Sequence, residues 1–181
     1  RALPAGAGLR IGFFPLASSP LRTLPAPAME RIAQVLTGHG DVTVHLNTWQ
    51  AQGKILQQAL HLPPECTVTE SFSSIADLLQ AIAQCDYAVF ADSGPAHMAK
   101  LFSIPGVAVY TSAPAAVLQG RFRNLAPYEV PYQGLHCAAP CGLAKVRQAA
   151  DGRIGCMGSL GLPLSDLPKT PTASDAAAVQ H

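Results

Sequence analysis

The residues best suited to chemistry lie at one abrupt junction, Asp92-Ser93-Gly94, with His97 three residues further on. The junction follows Tyr87 to Ala91, an apolar run with the length and composition of a buried strand. Ser93 is a favourable N-cap residue, and Pro95 suits a first helical turn, so a helix is expected to begin here. The free N–H groups at such a helix start favour an anion such as a phosphate.

Each of these residues also has a structural interpretation. Ser93 and Gly94 would serve equally well as a helix cap after a strand, whereas at a phosphate site Gly94 would let the anion approach the backbone. His97 is either a structural residue or a group beside the anion, which it would stabilise as a cation or through one N–H. A hydrolase triad is not expected, because triad members come from separate segments and no G-x-S-x-G turn is present.

The segment DSGPAHMAKLFSIPGVAVY resembles the donor-site signature of glycosyltransferase family 9, the heptosyltransferase family. That signature reads D-[ST]-G-x-x-H-x-A, followed by a small-residue helix and by P-x-x-x-x-[FY]. The matching positions are Asp92, Ser93, Gly94, His97, Ala99, Pro105 and Tyr110. A weaker resemblance spans most of residues 9–160.

The resemblance implies the C-terminal, donor-binding lobe of a two-lobed glycosyltransferase-B enzyme. Such an enzyme transfers a sugar from a nucleotide diphosphate donor, here ADP-heptose-like, with inversion and without a metal or other cofactor. It would be bacterial and cytoplasmic, would act in lipopolysaccharide biosynthesis and would associate peripherally with the membrane. The acceptor-side base would belong to an N-terminal lobe that 181 residues are too few to include, so the isolated chain is expected to bind donor weakly and to be inactive.

The resemblance also assigns roles to residues. The turn at Ser93 and Gly94 would meet the donor diphosphate, and Asp92 would hold sugar hydroxyls or fix the loop. Arg22 stands where the family has a Lys; it would pair the diphosphate bidentately, or else be a solvated loop residue. His97 and Arg22 are therefore the catalytic candidates. The predicted donor-binding residues are Ser18, Ser19, Arg22, Trp49, Asp92, Ser93, Gly94 and His97.

Two loops depart from the family pattern. The stretch 45–50 (HLNTWQ) lacks the Gly and Glu that the family places near the nucleoside, and Trp49 would either stack on the base or cover the core. The stretch 111–114 (TSAP) replaces the usual Gly-x-Thr-x-Pro. The loss of Gly and Glu favours an alternative function, a non-catalytic nucleotide- or anion-binding module of a larger protein.

Strands are predicted to alternate with helices along the chain. The predicted strands are 9–17, 42–46, 67–70, 87–91, 106–111 and a Pro-containing edge strand at 128–132. The predicted helices carry apolar faces at Met29, Ile32, Ala33 and Leu36; at Ile55, Leu56, Ala59 and Leu60; and at Ile75, Leu78, Leu79 and Ile82, after a Ser74–Asp77 capping box. A further helix is expected to follow Gly94, and the stretch 117–125 fits either a loop or a helix.

This alternation predicts an α/β fold, a Rossmann-like, doubly wound parallel sheet between two helical layers, with strand order 3-2-1-4-5-6. Strands 1 and 4 are then neighbours, and a ligand is expected across their carboxyl ends. Those ends carry Ser18-Ser19 and Asp92-Ser93-Gly94, so the alternation and the family signature indicate the same crevice.

Length and composition indicate one domain with a hydrophobic core. The net charge is +1 and no Lys/Arg run occurs, so nucleic acid is not an expected partner. No apolar stretch reaches the ~18–20 residues of a membrane span. Residues 1–8, which lack a Met start and a signal-peptide core, are expected to be a linker in a longer protein. Residues 9–166 are the predicted nucleotide-sugar-binding lobe, and 167–181 a flexible tail or short helix.

The chain has five cysteines, an odd number without a secretion signal, which indicates a mainly reduced cytosolic protein. Cys137, Cys141 and Cys156 resemble a cysteine pattern near the end of many family members. With His136 they would bind zinc only at a non-standard spacing and without a fourth Cys. A disulfide from Cys156 to Cys137 or Cys141, or reduced thiols, is expected instead, and no metal site is predicted.

Overall fold

A computed structural model describes residues 8–47, 51–70, 72–133 and 138–140, and six of its strands form one parallel sheet. They are β1 (Leu9–Phe14), β2 (Gly40–His45), β3 (Thr67–Thr69), β4 (Tyr87–Ala91), β5 (Gly106–Tyr110) and β6 (Leu125–Glu129). Their order, β3-β2-β1-β4-β5-β6, confirms the predicted doubly wound topology, with β1 beside β4. A separate antiparallel pair joins β7 (Tyr132–Gln133) to β8 (Ala138–Ala139).

Helices connect the strands and cover both faces of the sheet. They are α1 (Ala26–Thr37), α2 (Ala51–Ala59), α3 (Ile75–Ala83), α4 (Gly94–Met98) and α5 (Ala115–Gln119), with 3₁₀ turns at Pro20–Arg22 and Ala99–Leu101. The predicted apolar face of α1 is confirmed, since Met29, Ala33 and Leu36 are buried. The predicted cap of α3 is also present, because the Ser74 hydroxyl accepts a hydrogen bond from the Asp77 N–H at 3.2 Å.

Several sequence predictions need correction, and one that was left open is now settled. The first strand ends at Phe14 rather than at residue 17. The last strand begins at Leu125 rather than at residue 128, and it tolerates Pro127 because it is an edge strand. The ambiguous stretch 117–125 contains the end of α5 and then a turn. Ile75 is 66% exposed, so the apolar stripe of α3 is buried mainly at Ile82. The helix after Gly94 is α-helical only to Met98.

The predicted domain limits remain predictions. Residues 1–7 of the expected linker and the whole expected tail, 167–181, lie outside the described residues. His136, Cys137, Cys141 and Cys156 also lie outside the described residues, so the redox and metal states predicted for the three cysteines remain predictions. Cys66 and Cys85, which the structure does describe, are free thiols.

Side chains alternate between two hydrophobic cores on either side of the central strands. On β4, Tyr87, Val89 and Ala91 join the core that also contains Met29 of α1. Ala88 and Phe90 join the opposite core, with Ile82 of α3. Burial on both faces is the arrangement that a parallel sheet with helices above and below requires, and it confirms the predicted three layers.

An ion pair fixes the start of the β1–β4 pair. The Arg10 guanidinium donates from Nη2 to Asp86 Oδ1 at 2.9 Å and from Nε to Oδ2 at 3.1 Å, and the Arg10 N–H donates to Oδ2 at 2.9 Å. The Asp86 N–H donates in turn to the Arg10 carbonyl at 2.8 Å. Hydrogen bonding to Arg10 lowers the pKa of Asp86 to about 2. The two strands therefore enter the sheet in a fixed register.

Asn124 ties the segment after α4 to β6. Its side-chain amide lies 3.1 Å from the Ala99 carbonyl oxygen, 3.3 Å from that of Phe102 and 3.0 Å from that of Ile104. All three partners are acceptors, so only a donor suits this position.

We therefore expect Asn124→Asp to destabilise the protein by ~1–3 kcal/mol, because a carboxylate would face three carbonyl oxygens. Urea unfolding measures the change. Gln80→Glu makes the same amide-to-acid replacement at an exposed position of α3 and should have little effect. Equal stability in the two variants would show that the Asn124 contacts do not hold this segment.

Candidate functional site

A crevice of about 200 Å³ opens at the carboxyl ends of β1, β2 and β4. It lies where the strand order reverses, the place where doubly wound sheets bind ligands. Its lining residues are Phe14, Leu16, Ala17, Ser18, His45, Asn47, Phe72, Leu78, Ser93, Gly94 and Pro95. The structure thus brings Ser18 together with Ser93 and Gly94, as the sequence predicted.

The start of α4 differs in one respect from the sequence prediction. Ser93 occupies the N-cap position, but its hydroxyl donates to the Ala91 carbonyl at 3.2 Å and makes no cap hydrogen bond. The Ser93 side chain therefore accepts from none of the N–H groups at the start of α4. Because α4 has five residues, its dipole is small, and attraction for an anion must come chiefly from nearby cationic side chains.

The loop after β1 carries Arg22 and is held by internal hydrogen bonds. The buried Thr23 hydroxyl accepts from the Ala17 N–H at 3.0 Å and contacts the Ser19 carbonyl at 3.2 Å. The Thr111 hydroxyl donates to the Leu21 carbonyl at 2.7 Å and so links this loop to the end of β5. This anchoring presents Arg22 on a preorganised loop.

Within that loop, the two predicted serines have different environments. Ser18 is exposed, lines the crevice and accepts a hydrogen bond from Arg22 Nη2 at 2.6 Å. Ser19 is only 4% exposed, and its hydroxyl has no hydrogen-bond partner among the described residues. Direct ligand contact is therefore open to Ser18, whereas the Ser19 side chain is enclosed.

Asp92 lies beneath the surface, with cationic side chains around it. It is 1% exposed, and burial raises the pKa of its carboxyl group, while Arg22, His97 and Lys100 act in the opposite direction. Ser112 hydrogen-bonds the carboxylate, and Oδ1 has no partner in the described part of the chain. The Asp92 carboxylate therefore lies within electrostatic range of these three side chains, and its predicted role toward a donor sugar stays a prediction.

Lys100 is a site residue that the sequence analysis missed. Its Nζ lies 3.0 Å from His97 Nδ1, donates to the Leu118 carbonyl, and stands 5.6 Å from the centroid of the Phe122 ring. Burial lowers the pKa of Lys100; burial and the Lys100 charge lower that of His97. The three-residue spacing of His97 and Lys100, which places side chains together on a helix, was the available signal.

The aromatic side chains of Phe14, His45 and Phe72 line one part of the crevice. The Phe14 and His45 rings stack with centroids 4.2 Å apart and an interplanar angle of 13°, and His45 stacks on Phe72 at 5.4 Å. His45 is 9% exposed, and burial lowers its pKa to about 4, so the ring is neutral near pH 7. Trp49, the residue predicted to stack on a base, lies outside the described residues.

The described ranges contain neither a metal-binding cluster nor a helix that could span a membrane. No three His, Cys, Asp or Glu side chains there cluster in a way that would hold a metal ion. None of the helices there combines the length and the apolar character needed to cross a membrane.

Comparison with known proteins relates the fold of this chain to that of solved glycosyltransferases. No protein-family model matches the chain, and no curated protein matches it significantly in sequence. Solved structures do match it. ADP-heptose LPS heptosyltransferase II of E. coli is 20% identical with a TM-score of 0.57, and E. coli heptosyltransferase WaaC, solved with ADP, is 17% identical with a TM-score of 0.57. A family 9 glycosyltransferase from Veillonella parvula is 20% identical, with a TM-score of 0.55.

The matches cover most of this chain but less than half of each neighbour. They span 70%, 71% and 68% of the chain, and 39%, 40% and 35% of the three solved structures. The Rossmann-like α/β fold is therefore that of one part of these glycosyltransferases. The predicted resemblance to the heptosyltransferase family is confirmed at the level of the fold.

The neutral state of His45 predicts a pH dependence of stability. Below pH ~6.5 the unfolded chain binds a proton at this residue that the folded chain excludes until pH falls to about 4. Stability should therefore fall with pH across this window, by up to ~3 kcal/mol from His45 alone. His45→Phe keeps a ring in the stack and removes the titration, so its urea unfolding should lose less stability than the wild type between about pH 7.5 and about pH 4.5. Equal losses would contradict the buried neutral state.

The geometry at Gly94 predicts that the fold does not require a glycine at this position. A Cβ placed there would meet nothing within 4 Å, and no left-handed backbone requires glycine. Gly94→Ala should leave stability unchanged or raise it by up to ~1 kcal/mol. Gly106→Ala is the contrast, because its Cβ would lie 2.0 Å from the Ala88 carbonyl oxygen. Thermal unfolding compares the two; marked destabilisation by Gly94→Ala would show that Gly94 serves the fold.

Proposed function

We propose that this chain is the donor-binding lobe of a heptosyltransferase-like glycosyltransferase. The observation that carries the proposal is the convergence of Arg22, from the loop after β1, with Gly94 and His97, from the β4–α4 junction, at the switch point of the sheet. The fold is shared with solved heptosyltransferases, one of them described with ADP. The substrate would be a nucleotide diphosphate sugar of the ADP-heptose type.

The diphosphate would lie between the two loops. The N–H groups of Gly94 and Ala96 would donate hydrogen bonds to phosphate oxygens, and the guanidinium of Arg22 would pair with the phosphate oxygens bidentately. Arg22 is preoriented by its 2.6 Å bond to Ser18, which lowers the entropic cost of binding. Negative charge grows on the diphosphate as the glycosidic bond breaks, so these groups would stabilise the transition state more than the ground state.

The nucleoside would lie against the aromatic wall. Phe14 and His45 line the crevice next to Ser18 and Gly94, and because they are 2% and 9% exposed and stack on other rings, a base would contact their edges. The neutral His45 ring adds no charge to a site for an uncharged base. The crevice of about 200 Å³ is smaller than the ~300–1,000 Å³ of complete ligand pockets. A second lobe would therefore be needed to close the site over the sugar and to supply the acceptor and the base.

Several properties follow from the proposed class. Transfer would invert the anomeric centre, and the charge of the departing diphosphate would be balanced by protein groups without a bound metal. The full-length enzyme would act on the cytoplasmic side of a bacterial membrane, in lipopolysaccharide assembly. Activity would require the second lobe, so binding of the donor nucleotide is the property to test on this chain.

Calorimetric titration with ADP tests the proposal. Arg22→Ala should weaken ADP binding by ~1.5–3 kcal/mol, the range for hydrogen bonds to charged groups. Arg31→Ala removes the same charge from an exposed position of α1 and should leave the affinity unchanged. Thermal unfolding of both variants should be close to that of the wild type, because loop and surface arginines contribute little stability.

Two results would contradict this function. If ADP affinity is the same in Arg22→Ala and Arg31→Ala, Arg22 is not part of the nucleotide site. If neither ADP nor another nucleotide diphosphate binds the wild type, the crevice is not a donor site.

A further inference from the structure

The contact between Lys100 and His97 restricts the chemical form of the imidazole. Lys100 Nζ lies 3.0 Å from His97 Nδ1, within hydrogen-bond distance. The same Nζ donates to the Leu118 carbonyl and faces the Phe122 ring, so the ammonium is held on three sides. Leu118 and Phe122 lie in the segment between β5 and β6, so this segment fixes the position of Lys100.

Only one form of His97 can accept this bond. A lysine ammonium has three donor hydrogens and no acceptor, so the nitrogen facing it must carry a lone pair. An imidazolium has donors at both nitrogens and would set N–H against N–H; the Nδ1–H tautomer fails for the same reason. The neutral ring with its proton on Nε2 remains, and Nε2 lies on the side of the ring away from Lys100.

We infer that Lys100 is a positioning residue, which holds His97 neutral with its proton on Nε2, so that Nε2 can donate a hydrogen bond to an anion bound beside the β4–α4 junction. The assignment of the proton depends on the Lys100 contact alone. The identity of the anion as a diphosphate rests on the proposed function.

The charged groups around His97 are consistent with this form. Lys100, on the 3₁₀ turn after α4, and Arg22, on the loop after β1, disfavour the imidazolium, whereas Asp92 at the end of β4 favours it. Burial and Lys100 outweigh Asp92, and the pKa of His97 is lowered. The positive charge of the site then comes from Arg22 and Lys100. This charge stays constant around neutral pH, where the charge of a histidine would change.

Long-range ¹H–¹⁵N NMR of the ¹⁵N-labelled chain tests the assignment, since the cross-peak pattern shows which ring nitrogen bears the proton. His97→Gln identifies the His97 signals by their loss. We expect the wild type to show the Nε2–H form alone at about pH 7.5. In Lys100→Met, which keeps the apolar stem over Phe122, both tautomers should appear and His97 should titrate at a higher pH. Lys100→Arg, whose guanidinium also has donors only, should retain the Nε2–H form.

Lys54→Met is the control, because it removes one positive charge from an exposed position of α2. It should leave the His97 signals unchanged. If Lys100→Met does not fold, titration of the wild type to high pH gives the same comparison, since deprotonated Lys100 no longer disfavours the imidazolium or requires an acceptor at Nδ1. The Nδ1–H form in the wild type, or identical His97 spectra with and without the Lys100 charge, would overturn the inference.

Inorganic pyrophosphate separates this inference from the proposed function. It should shift the Nε2 signal of His97, and His97→Gln should bind it several-fold more weakly than the wild type. If the Nε2–H form is present but pyrophosphate leaves its signal unchanged, the diphosphate site proposed above is wrong and the role as an anion donor fails with it, whereas the effect of Lys100 on the tautomer stands.

Discussion

The parallel pairing of β1 with β4 is the constraint on which the rest of the structure depends. These strands are far apart in sequence, and their pairing reverses the direction in which successive strands are added to the sheet. The loops that leave their carboxyl ends consequently diverge to opposite faces and leave a crevice between them. The backbone pairing from Ile11–Tyr87 to Phe14–Phe90 sets the register of these strands, and the exposed Arg10–Asp86 ion pair lies at its other end.

Electrostatics gives this crevice its chemical character. A carboxylate with 1% exposure, Asp92, lies at the end of β4, and the charges of Arg22 and Lys100 act on it near the start of α4. The chain carries a net charge of only +1, so under the proposed function any attraction for an anion would be local rather than general. The proposed site would then rely on fixed cationic side chains more than on the small dipole of a short helix.

Much of this arrangement could be predicted from the sequence, because the signals were local. Apolar runs ended by Gly, Pro and Ser located the strands to within a few residues, and their alternation with helices fixed the strand order. The junction at Asp92-Ser93-Gly94 identified the crevice. The alignment with a known signature singled out Arg22 and His97.

The remaining features depend on contacts between distant segments. The contact of Lys100 with the Leu118 carbonyl depends on the position of α5, although the three-residue spacing of Lys100 from His97 is visible in the sequence. The stack of Phe14, His45 and Phe72 joins three segments that are separated in sequence. The sequence of any one segment does not indicate that the other two pack against it. The hydroxyl of Ser93 could bond either the helix or the strand before it, and only the folded geometry selects Ala91. The limits of β6 follow from its pairing with β5, which no local propensity encodes.

A crystal structure of this chain with ADP bound would test the proposed donor site most directly. We expect ADP across the carboxyl ends of β1 and β4, with its diphosphate between the Gly94 N–H and the Arg22 guanidinium and its base against Phe14 and His45. ADP bound elsewhere on the chain, or a diphosphate that contacts neither loop, would contradict it.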